Sequence, residues 1–549
     1  MKRTFSILIA LLLAASLLLS ACTSEGDPIE TDGSEDTLPL TEESATDETT
    51  PIEDQTEESE TEPEEDPNTV VTYTESYLPD SLFSRLRVLF ESKSATFNTY
   101  STGNVPYVIR DVYTISDCRL TSISIPVAKT LNTDKNGNFT FTISVFDNSY
   151  EGLKRSPKRE YSLKISAEKY NLSANASNIY RFIDVPLEEY DIVLSENETI
   201  GFFAAADTLY PAYLPTNAAN DNPAFNLVKL EYPEATGFFQ KVGTADLSTS
   251  INSLFYNLEW ERTRTLAEIQ AEEREAERMA EIIASLKARY EGKYLSILGD
   301  SISTFNGISN NTAYNSTIGS NAVWYPSSNS NFINYSFTYW GRLMTDLNMK
   351  LCVNNSWSGS RVYYDDATKV DMLERSTELD NDNGTPGDPT DDIAPDVILI
   401  YLGINDLHNN SKFGNLAELL KEGDNPHEVV EGWLEGISAS DWCSTYALSL
   451  QNIVDRYPNA EIYCMTLIQS HHANATAEKI EQYNLCIKAL ASYFGAAVID
   501  QQADGELTFE NCHTYGSDVT ALHPNPQGHE LMEKLVLETM YKRNRFANE

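Results

Sequence analysis

The sequence predicts an α/β layer fold around a parallel sheet over residues 292–549, preceded by an all-β sandwich or jelly roll over residues 69–258. Three observations predict it. Short, nearly unbroken apolar runs recur in the C-terminal half with helical patterns between them, as strands buried on both faces require. Short runs rich in Ile, Val, Thr, Phe and Tyr crowd the region before it, separated by turn clusters such as Asp134-Lys135-Asn136-Gly137. Between the two, residues 262–290 carry strong helix formers and no Gly or Pro.

Composition bounds the function. Of 549 residues, 41% are apolar and 10% aromatic, enough for real cores and against wholesale disorder. Asp and Glu outnumber Lys and Arg 83 to 39, for a net charge of −44. That balance excludes a basic nucleic-acid footprint and broad electrostatic adsorption to anionic lipid. Seven Cys are too few for a disulfide scaffold. No CxxC or HExxH occurs, so the common zinc signatures are missing, and neither a metal nor a cofactor is expected.

Residues 1–21 read as a secretory signal: Lys2 and Arg3, then an apolar run from Phe5 to Leu19 too short for a comfortable membrane span. Leu19-Ser20-Ala21-Cys22 resembles the bacterial lipobox, which implies lipidation of Cys22 and an extracytoplasmic, membrane-anchored protein. Residues 22–68 read as a disordered tether, because residues 23–68 hold nineteen acids and no Lys, Arg or aromatic residue.

In the sandwich the expected strands are Leu120–Val127, Phe139–Phe146, Tyr161–Ile165, Tyr190–Leu194, Thr199–Ala205 and Phe225–Leu230. Its aromatics (Tyr210, Tyr213, Phe238, Phe239, Tyr256, Trp260) read as core before they read as a sugar-stacking platform. A connecting segment over 259–291 carries the helix, with an apolar stripe of Met279, Ile282, Ile283, Leu286 and Tyr290. Its middle, Glu272 to Arg278, is charged nearly all round and suits a helix crossing solvent. Too few heptads are apolar for a coiled-coil dimer, so a monomer is expected. The strands of the last region are Tyr294–Leu298, Lys350–Val353, Asp396–Leu402, Ile462–Leu467 and Ala497–Ile499, and its clearest helix is Ala477–Phe494.

Ligands of such sheets sit outside the carboxyl ends of the strands. Gly299-Asp300-Ser301 follows the first strand, Asn354-Asn355-Ser356-Trp357-Ser358-Gly359-Ser360 ends the second, and Gly403-Ile404-Asn405-Asp406 follows the third. Leu522-His523-Pro524-Asn525 stands before the last helix. Each block alone is weak, but all four fall where the fold gathers a site.

Together with the phrases SILGDSIST (Ser296–Thr304) and VNNSWSGSRV (Val353–Val362), the pattern resembles the SGNH subgroup of GDSL-type serine hydrolases over about residues 292–545. The resemblance implies a flavodoxin-like three-layer α/β/α sandwich. It implies Ser301 as nucleophile, Gly359 and Asn405 in the oxyanion hole, and His523 as general base. The chemistry agrees. A serine hydroxyl needs a base within about 3 Å to take its proton, and histidine titrates near neutrality. Backbone N–H groups of Ser301 and Gly359 and the Asn405 amide would receive the oxyanion. Gly359 suits a close backbone approach, and a new helix after Ser301 would favour negative charge. No GxSxG occurs, so the α/β-hydrolase elbow is excluded.

The family usually places Asp three residues before the histidine. Here that position is Thr520, and the nearest acid is Asp518. Either Asp518 is the third member or a backbone carbonyl orients His523 in a dyad. Asp300 reads as a structural residue of the turn. His471 and His472 follow the fourth strand and read as solvated loop histidines within possible reach of the site. Asp380–Asp392 resembles a calcium loop, yet Gly384 stands where an oxygen ligand belongs. Cys118, Cys352, Cys464 and Cys486 read as buried thiols, and Cys443 and Cys512 could pair if loops bring them together.

The expectation is a lipid-anchored serine esterase acting on acylated carbohydrate, O-acetyl groups foremost. The aromatics near the motifs (Tyr314, Trp324, Tyr325, Trp340, Trp357, Tyr363, Tyr364) suit sugar stacking. The alternatives are a longer-chain lipase or thioesterase, and a non-catalytic glycan-binding surface lipoprotein.

Overall fold

The structure is a computed structural model. It describes residues 66–546 except 79, 94–97, 100–106, 110–116, 204–208, 216–238, 242–248, 251, 255–256, 310–322, 326–333, 367–368, 386–387, 421–433 and 517–519. The expected strand Phe225–Leu230 therefore lies outside the described residues.

The N-terminal region begins with β1 (Val70–Ser76) and α1 (Asp80–Glu91) and continues through β2 (Cys118–Thr130), β3 (Asn138–Asp147), β4 (Arg159–Ser166), β5 (Ser177–Pro186), β6 (Glu198–Phe203) and β7 (Asn257–Thr265). Two antiparallel sheets form. β2 pairs with β5 and β7 in one, and β3 pairs with β4 and β6 in the other. Alternate residues of β3, Phe139, Phe141, Ile143 and Val145, share one core with Ile123, Ile125 and Val127 of β2 and with Leu120, which joins them across a register shift against β7. α1 was not expected in an all-β region. Its Leu82, Leu86 and Phe90, at helical spacing, enter the same core, and Phe90 meets Phe182 of β5 edge-on at 5.1 Å.

The connecting helix starts later than its composition suggested. Residues 257–265 are strand β7, with Leu258 opposite Ile123 and Trp260 opposite Leu120, and α2 runs from Leu266 to Tyr290. The boundary is a capping box. Thr265 Oγ1 accepts the Glu268 N–H at 3.3 Å, and the Glu268 carboxylate accepts the Thr265 N–H at 2.8 Å. Arg264–Met279 forms a compact unit with residues 66–71, separate from the unit of Thr72–Thr263 and Ala280–Glu549. In the smaller unit Leu266 N–H donates to Thr69 O at 2.8 Å, and Arg264 grips Glu272 through both Nη atoms. The stripe on α2 is buried at Met279, Ile282, Leu286 and Tyr290, as its spacing requires.

The C-terminal region runs through β8 (Tyr294–Gly299), α3 (Tyr339–Asp346), β9 (Lys350–Ser356), β10 (Val397–Tyr401), α4 (Ile404–His408), α5 (Trp442–Arg456), β11 (Glu461–Met465), α6 (Ala477–Tyr493), β12 (Ala497–Ile499) and α7 (Pro526–Phe546). All five strands are parallel, in the order β9-β8-β10-β11-β12. Helices cover both faces, giving the three-layer α/β/α sandwich; α3 packs with α7, and α5 with α6. Every residue of β10 is buried, as its unbroken apolar run VILIY demands. The order reverses at β8, so the carboxyl ends of β8, β9 and β10 surround the switch point.

Glu533 of α7 is buried, and Asp346 of α3 acts on its carboxyl group. Burial first, then Asp346, holds Glu533 well above the ordinary range, while Arg342 pulls it down and Glu530 pushes it up. A carboxyl raised in the fold stabilises it fully below the ordinary Glu value, and that contribution is lost as pH rises through the raised value. Glu533→Gln should therefore raise Tm at pH 8 by at least about 2 °C and change little at pH 4 in calorimetric melts.

Candidate active site

Register builds the site. Gly299 stands opposite Ser356 of β9 and Tyr401 of β10, so the residues after all three strands emerge together. The Gly299 carbonyl accepts three donors: Arg375 Nη2 at 2.6 Å, the Trp357 N–H at 3.2 Å and Ser360 Oγ at 3.3 Å. A side chain at 299 would place its Cβ 2.6 Å from Ser303 Cβ, so the crossing requires glycine.

Ser301 opens a single 3-10 turn, Ser301–Ser303, capped by Asp300, whose Oδ1 accepts the Ile302 N–H at 3.0 Å. Asp300 is thus a structural residue of the turn. The expected helix after Ser301 is only this one turn, too short to build a macrodipole. Burial pushes the Asp300 carboxyl up to about 7, against the pull of the Ile302 N–H and Arg375.

His523 arrives from the loop before α7, and its Nε2 lies 2.8 Å from Ser301 Oγ, with the two residues 6% and 3% exposed. Asp518 lies outside the described residues.

The loop after β9 turns at Gly359, whose φ is +77. No atom lies within 4 Å of a Cβ built there, so glycine answers the left-handed backbone and not a close neighbour, contrary to the packing reason the sequence suggested. Asn405 Nδ2 donates to Ser360 O at 3.0 Å, and the buried Asp406 carboxylate accepts the N–H groups of Val362 at 2.8 Å and Tyr363 at 3.1 Å. Asn405 and Asp406 thereby hold the Gly359 loop against α4. Burial pushes Asp406, like Asp300, up to about 7.

Arg375 carried no sequence signal. It is fully buried under the site, donates to Asn355 O at 2.6 Å as well as to Gly299, and lies 4.5 Å over the Trp357 ring. It ties the ends of β8 and β9 together and sets a cation beside the buried Asp300 carboxyl.

Ser301, Gly359, Asn405 and His523 thus come from four separated segments to one end of the sheet. A hydroxyl on an imidazole, beside a left-handed glycine loop, can carry acyl transfer. Residues 293–493 match the family model for GDSL-like Lipase/Acylhydrolase. Residues 293–493 form a domain of that family. This GDSL-like domain is a carboxylic ester hydrolase; the matched stretch includes Ser301, Gly359 and Asn405, and His523 follows it. No curated protein matches the chain. A Bacteroides ovatus protein described as a GDSL-like lipase is 23% identical over 46% of this chain and 99% of its own, with a TM-score of 0.32. A carbohydrate esterase family 2 enzyme with a carbohydrate-binding domain, from Corynascus thermopiles, is 15% identical over 81% of this chain and 99% of its own, with a TM-score of 0.29. A family two carbohydrate esterase from Clostridium thermocellum, in complex with cellohexaose, is 13% identical over 78% and 90%, with a TM-score of 0.28.

Other expectations for the GDSL-like domain change. Tyr325, Trp340 and Trp357 are core and offer no platform; Trp324, Tyr363 and Tyr364 are half-buried; Tyr314 lies outside the described residues. In the N-terminal region Trp260 is core and donates to Glu75 at 2.5 Å. Phe238 and Tyr256 lie outside the described residues, and the side chains of Tyr210, Tyr213 and Phe239 are not described. His471 and His472 are half-buried and packed on other rings: His471 lies on Phe509, where burial lowers its pKa to about 4, and His472 stacks on His408 at 3.9 Å. In the acidic loop Asp380 accepts from Arg456 and Tyr457, and Asp391 accepts from Thr385. Among the described residues no group of three or more His, Cys, Asp or Glu is gathered as a metal ion would need. Cys443 does not meet Cys512; its Sγ lies 3.4 Å from Cys486, and both are buried thiols on α5 and α6.

Replacing Arg375 with methionine should leave the Gly299 and Asn355 carbonyls short of donors and Asp300 short of its cation. Denaturant titration should show a loss of about 3 kcal/mol or more.

Proposed function

We propose that the protein is a serine esterase that removes small acyl groups, acetyl foremost, from carbohydrate through an acyl-enzyme on Ser301. The observation that carries the reading is the 2.8 Å contact of His523 Nε2 with Ser301 Oγ in a nearly closed site. Ser301 Oγ attacks the ester carbonyl while His523 Nε2 takes its proton. The oxyanion is received by the Ser301 and Gly359 N–H groups and by the Asn405 N–H not given to Ser360. Collapse expels the sugar hydroxyl, which takes the proton back from His523, and water then cleaves the acyl-enzyme by the same steps. Asp518 is the candidate third member that the spacing before His523 offers.

The low exposure of Ser301 supports a short acyl group. The half-buried rings of Tyr363 and Tyr364, just past Gly359, support a sugar as the alcohol. The Lys2–Leu19 leader and Cys22 support export and a lipid anchor.

p-Nitrophenyl acetate should be cleaved faster than the octanoate. Ser301→Ala should lower the rate by at least about 10³-fold, and Asn405→Ala by about 10²–10³ in kcat. Faster octanoate turnover points to a lipase or thioesterase. No turnover of either ester, with polysaccharide retained in pull-downs, points to a binding protein. Asp518→Asn should slow turnover by orders of magnitude; a near-wild-type rate removes Asp518 from the mechanism.

A further inference from the structure

The Ser301 turn and the His523 loop are joined by a short strap, residues 323–325, that none of the four motifs contains. Trp324 N–H donates to Thr304 Oγ1 at 2.8 Å, just past Ser301. The Tyr325 carbonyl accepts the Asn306 N–H at 2.7 Å. On the other side, Tyr325 OH donates to Pro524 O at 2.7 Å, next to His523. Between these ties the Trp324 indole lies flat on the His523 imidazole, with ring centroids 3.6 Å apart and planes inclined by 8°.

We propose that Trp324 is a positioning residue for His523, holding the imidazole at Ser301 and stabilising it as imidazolium when it carries the serine proton. This rests on the serine-esterase reading above. The physics is simple. A neutral imidazole stacked on indole gains packing, whereas an imidazolium also gains attraction to the negative π-face. The gain is larger with the proton on, so it favours proton transfer from Ser301. A carboxylate behind a histidine serves the same two ends, orientation and charge.

The indole Nε1 is buried and has no hydrogen-bond partner among the described residues. A phenyl ring would fill much of the place without that unpaired donor. Stability alone therefore favours Phe at 324, and stacking on His523 favours Trp. Among the described residues, the titratable groups set against His523 are Tyr325, edge-on at 6.4 Å, and His529, which burial lowers well below the ordinary value and so keeps uncharged near neutrality.

The test compares full-length protein with Trp324→Phe and Trp324→Leu, each checked by thermal melt. Removing the indole should lower kcat by about 3- to 30-fold with little change in KM. It should move the acid limb of the kcat/KM–pH profile to lower pH, since the imidazolium loses its partner; Phe should fall between Trp and Leu. Trp324→Phe should melt no lower than the parent, so that activity falls while stability does not. An NMR titration of His523 reads the same shift with no ester present. If the parent hydrolyses no ester, the esterase reading fails, and the titration still decides the role of Trp324. An unmoved acid limb and an unmoved His523 titration in both variants would overturn the proposal.

Discussion

The site depends on one backbone oxygen. The Gly299 carbonyl, at the end of the first parallel strand, accepts a buried guanidinium, the Trp357 amide and the Ser360 hydroxyl. It thereby fixes the height at which the second strand ends relative to the first, and with it the spacing between Ser301 and Gly359. A parallel sheet alone aligns strand ends only to within a residue, and acyl transfer needs tighter placement. Arg375 supplies the missing constraint. Its charge is held by carbonyl dipoles, by the face of Trp357 and by the field of Asp300, and not by a surface partner that salt would screen.

This arrangement concentrates the polar cost of the fold in one place. Asp300 and Asp406 are both fully buried, and each raises the free energy of ionising the other. Each still spends its oxygens on backbone amides of the loops that carry Ser301 and Gly359. Both carboxyls thus act as braces on the backbone around Ser301 and Gly359.

The core architecture was legible because burial on both faces leaves unbroken apolar runs, and VILIY of β10 reads no other way. The four motif blocks were legible because they sit where strands end. The start of α2 was misread because Glu261, Arg262 and Arg264 are strong helix formers. The period-two burial of Leu258 and Trp260 and the Thr265-x-x-Glu268 box held the correct boundary. α1 was missed although Leu82, Leu86 and Phe90 carry its period. Arg375 and Trp324 were out of reach for another reason. Each acts on residues far along the chain, and no local pattern marks an arginine whose partners are carbonyls or an indole whose partner is an imidazole.

In the proposed mechanism the reacting pair, Ser301 and His523, is separated by 222 residues. Between them the chain lays down four of the five strands, and the imidazole is delivered just before the final helix. Non-local contacts of this kind form late, because loop closure must come first. A growing chain on the ribosome therefore holds its serine long before it holds a base to arm it. In that mechanism ester cleavage begins only once the segment before the last helix has brought His523 to Ser301, so the C-terminal end of the chain arms a serine laid down long before it.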